Sequence, residues 1–256
     1  MTDDANTIAA QRHAWAALAP QLGMLEPLEF GPEEWAFLAR LRADFTARPV
    51  HVRLPMPIAR FRGEARDAIL ALARQRGDVE TGTTDEDGAS PADRAMAGFA
   101  RAFGRDVDAL LGVLIPAARH RKGHFAHGLF TTPEPHGLHT DHSAEDPAAG
   151  AEPICIARLG ALGTHCVAGD MRTHDARTRR MLDALRYWTP VPEGEPEDVL
   201  QVLLREGVLR TIPLDHVVLM VAGNGRGDAQ VTPHIAARPP EGGIHSAFFQ
   251  RQYRLA

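Results

Sequence analysis

Cysteine is nearly missing from this chain: Cys155 and Cys166 are the only two in 256 residues. They stand in a stretch that reads as strands, without the tight pairing of a zinc knuckle or a redox dithiol, so both are expected to be buried, reduced thiols. An excess of positive charge is missing too. The formal net charge of −5 supplies no large basic face of the kind that binds a phosphate backbone, so nucleic acid is not an expected partner. No apolar run approaches the roughly 20 residues of a membrane-spanning helix, and Met1-Thr2-Asp3-Asp4 carries acid where a signal peptide carries base. The expectation is a cytoplasmic chain with no membrane partner. Internal repeats, low-complexity tracts and nucleophile motifs are lacking as well.

What is present is 44% hydrophobic content over a length near the upper limit for one domain, enough to bury a substantial core. The reading is a single domain, 1–256, of class α+β, with a mainly helical part over 1–120 and a β-rich part over 121–256.

In the first part, Gly31-Pro32-Glu33-Glu34 puts proline at a first helical position with acids in the first turn. Trp35, Leu38, Leu41 and Phe45 follow at helical spacing until Pro49. Residues 64–74 and 106–119 repeat the pattern, the latter with a stripe of Val107, Leu110, Leu111, Leu114 and Ile115. Such stripes are core. Between them, 77–90 is polar, acidic and glycine-rich, which suits a surface loop serving as a lid or a linker.

From about Gly123 the pattern changes to short apolar runs broken by Gly and Pro. Strands are expected at 124–130, 154–159, 163–167, 208–212, 217–222, 231–237 and 244–253, with one helix at 176–187.

Two positions in the β-rich part carry chemistry. His139-Thr140-Asp141 offers an imidazole and a carboxylate two residues apart, and His234 lies far downstream in another strand-like run. Two histidines and one carboxylate are the ligands of a facial triad, which holds non-haem Fe(II) and leaves positions open for O₂ and a co-substrate. With 13 His and 33 Asp plus Glu, a His-x-acid tripeptide arises about twice by chance. The weight of the motif therefore comes from its surroundings. If 139–141 is extended, His139 and Asp141 share one face and can reach one ion. His136 and His142 fall on other faces or outside the strand.

Helices first, then a series of short strands with His-x-Asp early and a lone His on the penultimate strand, resembles the Fe(II)/2-oxoglutarate-dependent oxygenase family. The resemblance covers roughly residues 123–253. Thr211-Ile212-Pro213-Leu214-Asp215 and the strand after it resemble the segment leading toward the distal ligand, and Val231-Thr232-Pro233-His234-Ile235-Ala236-Ala237 resembles the distal-histidine strand. Pro239-Pro240-Glu241-Gly242-Gly243 then reads as a hairpin before the final strand.

The resemblance implies a double-stranded β-helix (a jelly roll, cupin-like) preceded by helices. It implies Fe(II) held by His139, Asp141 and His234, 2-oxoglutarate as co-substrate, O₂, and hydroxylation of a C–H bond in a small molecule such as an amino acid or related metabolite. A carboxylate at Asp141 fills the place that is small in related halogenases, which favours hydroxylation or desaturation.

One departure concerns the co-substrate clamp. The family's last strand supplies an arginine for the distal carboxylate of 2-oxoglutarate, and the positional match here is His245. Arg251 is the favoured candidate, because a guanidinium makes a bidentate, charge-assisted pair. Along a regular strand, residues 245 and 251 would lie roughly 20 Å apart at about 3.3 Å per residue, so they cannot share one carboxylate. Arg158 is a third candidate, and Thr164 is a possible hydrogen-bonding partner.

Two readings of other classes stay open. A cupin-like metal-dependent isomerase or dioxygenase would use a similar barrel, normally with more clustered histidines, and would ignore 2-oxoglutarate. A non-catalytic ligand-binding β-helix module would tolerate loss of His139 or His234.

Overall fold

The computed structural model describes residues 2–43, 45, 54–76, 79–81, 91–130, 137–139, 152–160, 163–168, 173–187, 198–222, 232–236 and 246–255. The helices among these are α1 (Thr2–Ala16), α2 (Pro32–Ala43), α3 (Gly63–Arg76), α4 (Pro91–Leu114), α5 (Ala176–Tyr187) and α6 (Val199–Arg205). The strands are β1 (Leu25–Pro27), β2 (Met56–Phe61), β3 (Val79–Thr81), β4 (Ala118–Phe130), β5 (Glu152–Gly160), β6 (Thr164–Val167), β7 (Leu209–Ile212), β8 (His216–Ala222), β9 (His234–Ala236) and β10 (Ser246–Leu255). None of these helices is long and apolar enough to cross a membrane.

The class is α+β, built on two antiparallel sheets. A seven-stranded sheet runs β1-β2-β8-β5-β10-β4-β3, and a three-stranded sheet runs β7-β6-β9. Strand parity divides the large sheet into two faces. Cys155, Ala157, Leu219, Ala247, Phe249 and Tyr253 point to the helices and pack with Phe103, Val107, Leu110 and Leu114 of α4. On the other face, Ile154 and Ile156 of β5 and Val218 and Met220 of β8 cluster with Cys166 and Ile212 of the small sheet. The small sheet turns its own outer face, including Val167, Leu209 and Ile235, onto α5 and α6. The chain thus forms four layers: helices, large sheet, small sheet, helices.

Every strand expected of the β-rich part is present and α5 spans the expected 176–187, but where one helix was expected the structure has a second, α6. Four other expectations need correction. The helix read over 106–119 is α4, which starts at Pro91 and stops at Leu114. Pro116 accounts for the stop, because the residue before a proline is pushed out of the helical region. The strand read from 124 therefore begins at Ala118. In the loop read over 77–90, Val79–Thr81 is a strand that pairs with β4, and 82–90 lies outside the described residues. Finally, the helical part also supplies β1 and β2, which extend the large sheet beside β8.

One carboxylate joins the helical part to this sheet. Asp106 on α4, 6% exposed, accepts hydrogen bonds from the backbone N–H groups of Gly23, Met24 and Leu25 at 3.2, 2.7 and 3.0 Å. It satisfies the donors leading into β1, of which those of Met24 and Leu25 would otherwise be buried without partners.

Candidate metal site between the sheets

His139 and His234 are brought together by the backbone. His139 N–H donates to the His234 carbonyl at 3.0 Å, and His234 N–H returns to the His139 carbonyl at 2.8 Å. This is a hydrogen-bonded antiparallel pair, in which both side chains leave the same face. The rings accordingly lie with centroids 4.4 Å apart and planes inclined at 58°.

Neighbouring residues fix both backbones. Leu138 is buried among the α5 and α6 side chains, and its N–H donates to the Leu185 carbonyl at 3.1 Å. Thr232 N–H donates to the Val221 carbonyl at 2.8 Å, while Thr232 Oγ1 accepts from Val221 N–H at 3.2 Å. Val167 N–H donates to the Pro233 carbonyl at 2.9 Å. The segment before His234 is therefore held from β8 on one side and β6 on the other.

Ring orientation is set in the same way. His139 Nδ1 lies 2.8 Å from the Gly137 carbonyl, and His234 Nδ1 lies 3.3 Å from the Thr232 carbonyl. A carbonyl only accepts, so Nδ1–H is the donor in each ring, and in the neutral imidazole Nε2 then carries the lone pair. Two adjacent imidazoles with Nδ1 engaged in this way suit a divalent transition metal, and the carbonyl partners are the outer support that metal-binding histidines ordinarily have. Among the described residues no cluster of three or more His, Cys, Asp or Glu side chains could hold a metal ion. The expected third ligand, Asp141, lies outside the described residues, as do His136, His142 and His245. Cys166 is the strand partner of His234 and is buried.

The two arginine candidates fall on opposite faces of the large sheet. Arg251 shares the helix-facing side with Ala247, Phe249 and Tyr253. Its Nε donates to Asp108 Oδ1 of α4 at 2.8 Å, its Nη2 donates to Asp108 Oδ2, and Tyr253 Oη also donates to Oδ1 at 2.8 Å. Burial, then the nearby Cys155 and Asp108, hold the Tyr253 hydroxyl well above its ordinary pKa. Burial does the same to the Cys155 thiol. Arg251 therefore belongs to a buried polar cluster under the helices, with the sheet between it and the histidines. That placement separates the favoured clamp candidate from the two histidines.

Arg158 lies on the inter-sheet side. Its Nε donates to Thr164 Oγ1 of β6 at 2.5 Å, and its guanidinium carbon sits 4.7 Å from the Phe248 ring centroid. The turn between β7 and β8 fixes its backbone: Asp215, at φ 62°, donates its N–H to the Arg158 carbonyl at 2.8 Å. Thr164 pairs with Ala236, and Cys166 pairs with His234, so Thr164 is one same-face step along the sheet from His234. Such diagonal neighbours stand about 7–8 Å apart. Arg158, Thr164, His139 and His234 thus face one space between the sheets. Phe248, which supports the guanidinium, was not singled out from sequence, although its alternation against Ala247 and Phe249 is the signal that marks it. No family model matches the chain, and no curated protein matches it.

Proposed function

We propose that this chain is a non-haem Fe(II)/2-oxoglutarate-dependent oxygenase that hydroxylates a C–H bond of a small molecule. The observation that carries the proposal is the His139–His234 pair: adjacent rings, both with Nδ1 directed at a backbone carbonyl. Asp141, two residues beyond His139, would complete the triad from the same face if the chain continues extended.

Strand pairing supports a double-stranded β-helix as the frame. β4 pairs with β10, His139 with His234, β5 with β8 and β6 with β7. First meets last, second meets seventh, third meets sixth and fourth meets fifth, which is the order a long hairpin takes when wound into a jelly roll. The histidines occupy its second and seventh places.

The chain's own groups have definite tasks in this reading. The backbone carbonyls of Gly137 and Thr232 keep Nε2 of each histidine aimed at the metal. Arg158, seated on Phe248 and tied to Thr164, binds the far carboxylate of 2-oxoglutarate, in place of Arg251. The apolar wall of Ile154, Ile156, Val218 and Met220 keeps water from the reacting groups. Bound Fe(II) supplies the chemistry itself, O₂ activation coupled to oxidative decarboxylation of 2-oxoglutarate to succinate.

Anaerobic titration of the metal-free protein with Fe(II) and 2-oxoglutarate tests this. The expected result is a weak visible charge-transfer band that is lost in His234→Ala. Metal binding without a band would favour the cupin-like reading, and absence of metal binding would overturn both.

A further inference from the structure

β10 places two primary amides on the inter-sheet face. Gln250 stands opposite Ile156 and Gln252 opposite Ile154, and both isoleucines belong to the cluster between the sheets. The β10–β5 register runs unbroken through both positions, so the glutamines share the face of Phe248 and lie roughly 7 Å apart at about 3.3 Å per residue. Gln252 is only 7% exposed and Gln250 is half-buried. Neither amide makes a hydrogen bond among the described residues. Gln11 is also without a partner there, but both polar atoms of its amide are fully buried, whereas Gln250 is only half-buried.

The two amides also lie near the histidines. Ile212 of β7 clusters with Val218 and Met220 of β8, and Thr164 of β6 meets Arg158 of β5. The small sheet, β7-β6-β9, therefore lies over β8-β5-β10 in the same order, which sets β9 and His234 over β10.

We propose that Gln250 and Gln252 form the substrate-recognition wall of this cleft, and that the substrate carries a carboxamide or peptide-type amide. A glutamine amide offers a donor and an acceptor in one plane, so an amide ligand satisfies both groups at once. A carboxylate would face the glutamine carbonyl with like polarity, and a ketone would accept from the NH₂ but leave the glutamine carbonyl without a donor. Discrimination against such analogues is strong where a buried polar group would be left unpaired. Partly buried amides without protein partners weaken the fold, and ligand contact is the role that accounts for keeping two of them side by side. The placement opposite the metal rests on the oxygenase reading; the amide site does not.

The test uses metal-free protein carrying ¹⁵N-labelled glutamine and three near-isosteric probes: butyramide, butyrate and 2-pentanone. The side-chain NH₂ signals of Gln250 and Gln252, assigned by their loss in Gln250→Leu and Gln252→Leu, should shift saturably with butyramide. Affinity for the other two probes should be at least tenfold weaker. Each Leu variant should weaken butyramide at least tenfold and raise Tm; Gln252→Met serves if a Leu variant fails to fold. Equal responses to the three probes, or variants that lower Tm with butyramide binding unchanged, would overturn the proposal. Because no metal is present, either result is independent of the Fe(II) titration.

Discussion

Arg251 offers a direct check on the division between the two faces of the large sheet. Its side chain is 10% exposed and that of its partner Asp108 is 40% exposed, and the two share a bidentate pair. Hydrogen bonds to charged groups are each worth about 1.5–3 kcal/mol, and exposure of one partner reduces that through solvent screening. Replacing Arg251 by Met keeps most of the apolar stem against α4 and leaves Asp108 with the Tyr253 hydroxyl. The expected loss is about 2–4 kcal/mol, which for a chain of this size corresponds to a fall in Tm of about 4–16 °C at 2–4 °C per kcal/mol. Asp108→Asn should cost less, and the double variant should show a coupling energy of about 1–2 kcal/mol. If the proposed oxygenase reading holds, binding of 2-oxoglutarate to the Fe(II)-loaded protein, read from the charge-transfer band, should be unchanged below the new Tm. Unaltered Tm together with loss of 2-oxoglutarate binding would return Arg251 to the co-substrate site and refute the argument from strand parity.

Other expectations follow from the same geometry. Arg158→Leu should weaken 2-oxoglutarate binding about 10–100-fold, since a charge-assisted contact is worth about 1.5–3 kcal/mol and each 1.4 kcal/mol is tenfold; Fe(II) binding measured alone should persist. Asp106→Ala should cost roughly 4 kcal/mol in urea unfolding, because the N–H groups of Met24 and Leu25 lose their acceptor inside the protein at about 1–3 kcal/mol each, and Asp106→Asn should cost less. Burial lowers the pKa of His165 from its ordinary 6.5. The unfolded chain therefore binds a proton that the folded chain resists, so this histidine's contribution to stability is full above about 6.5 and is lost as pH falls through its lower, folded value. The unfolding free energy of the wild type should thus fall more steeply than that of His165→Phe between about pH 7 and about pH 5.

Much of the architecture was readable because the β-rich part keeps one period at a time. Apolar runs between Gly and Pro located its strands, and the one helix read among them, 176–187, is α5. Short edge strands such as Leu25–Pro27 and Val79–Thr81 gave no such signal, since three residues hold too little alternation and pairing comes from the neighbouring strand. The histidine pair was readable as residue types, yet its adjacency is made by a backbone bridge between segments far apart in sequence. The arginines were separable by parity: Arg251 keeps step with Ala247, Phe249 and Tyr253, whereas Arg158 keeps step with Ile154 and Ile156. What sequence could not supply was Asp108, because the helical position that meets Arg251 is determined by how α4 crosses the sheet.

The position of β10 between β5 and β4 has a consequence for how the molecule comes into being. Until residue 255 has been synthesised, the large sheet lacks a central strand, and the nascent chain exposes two long unpaired strand edges, those of β5 and β4. Open edges of this kind attract other chains, and pairing between segments so distant in sequence is slow to establish. Folding on the ribosome can assemble the helical part with Asp106 and its N–H partners, but closure waits for the last strand. Synthesis rate and chaperone supply, more than final stability, should therefore govern how much native protein a cell accumulates.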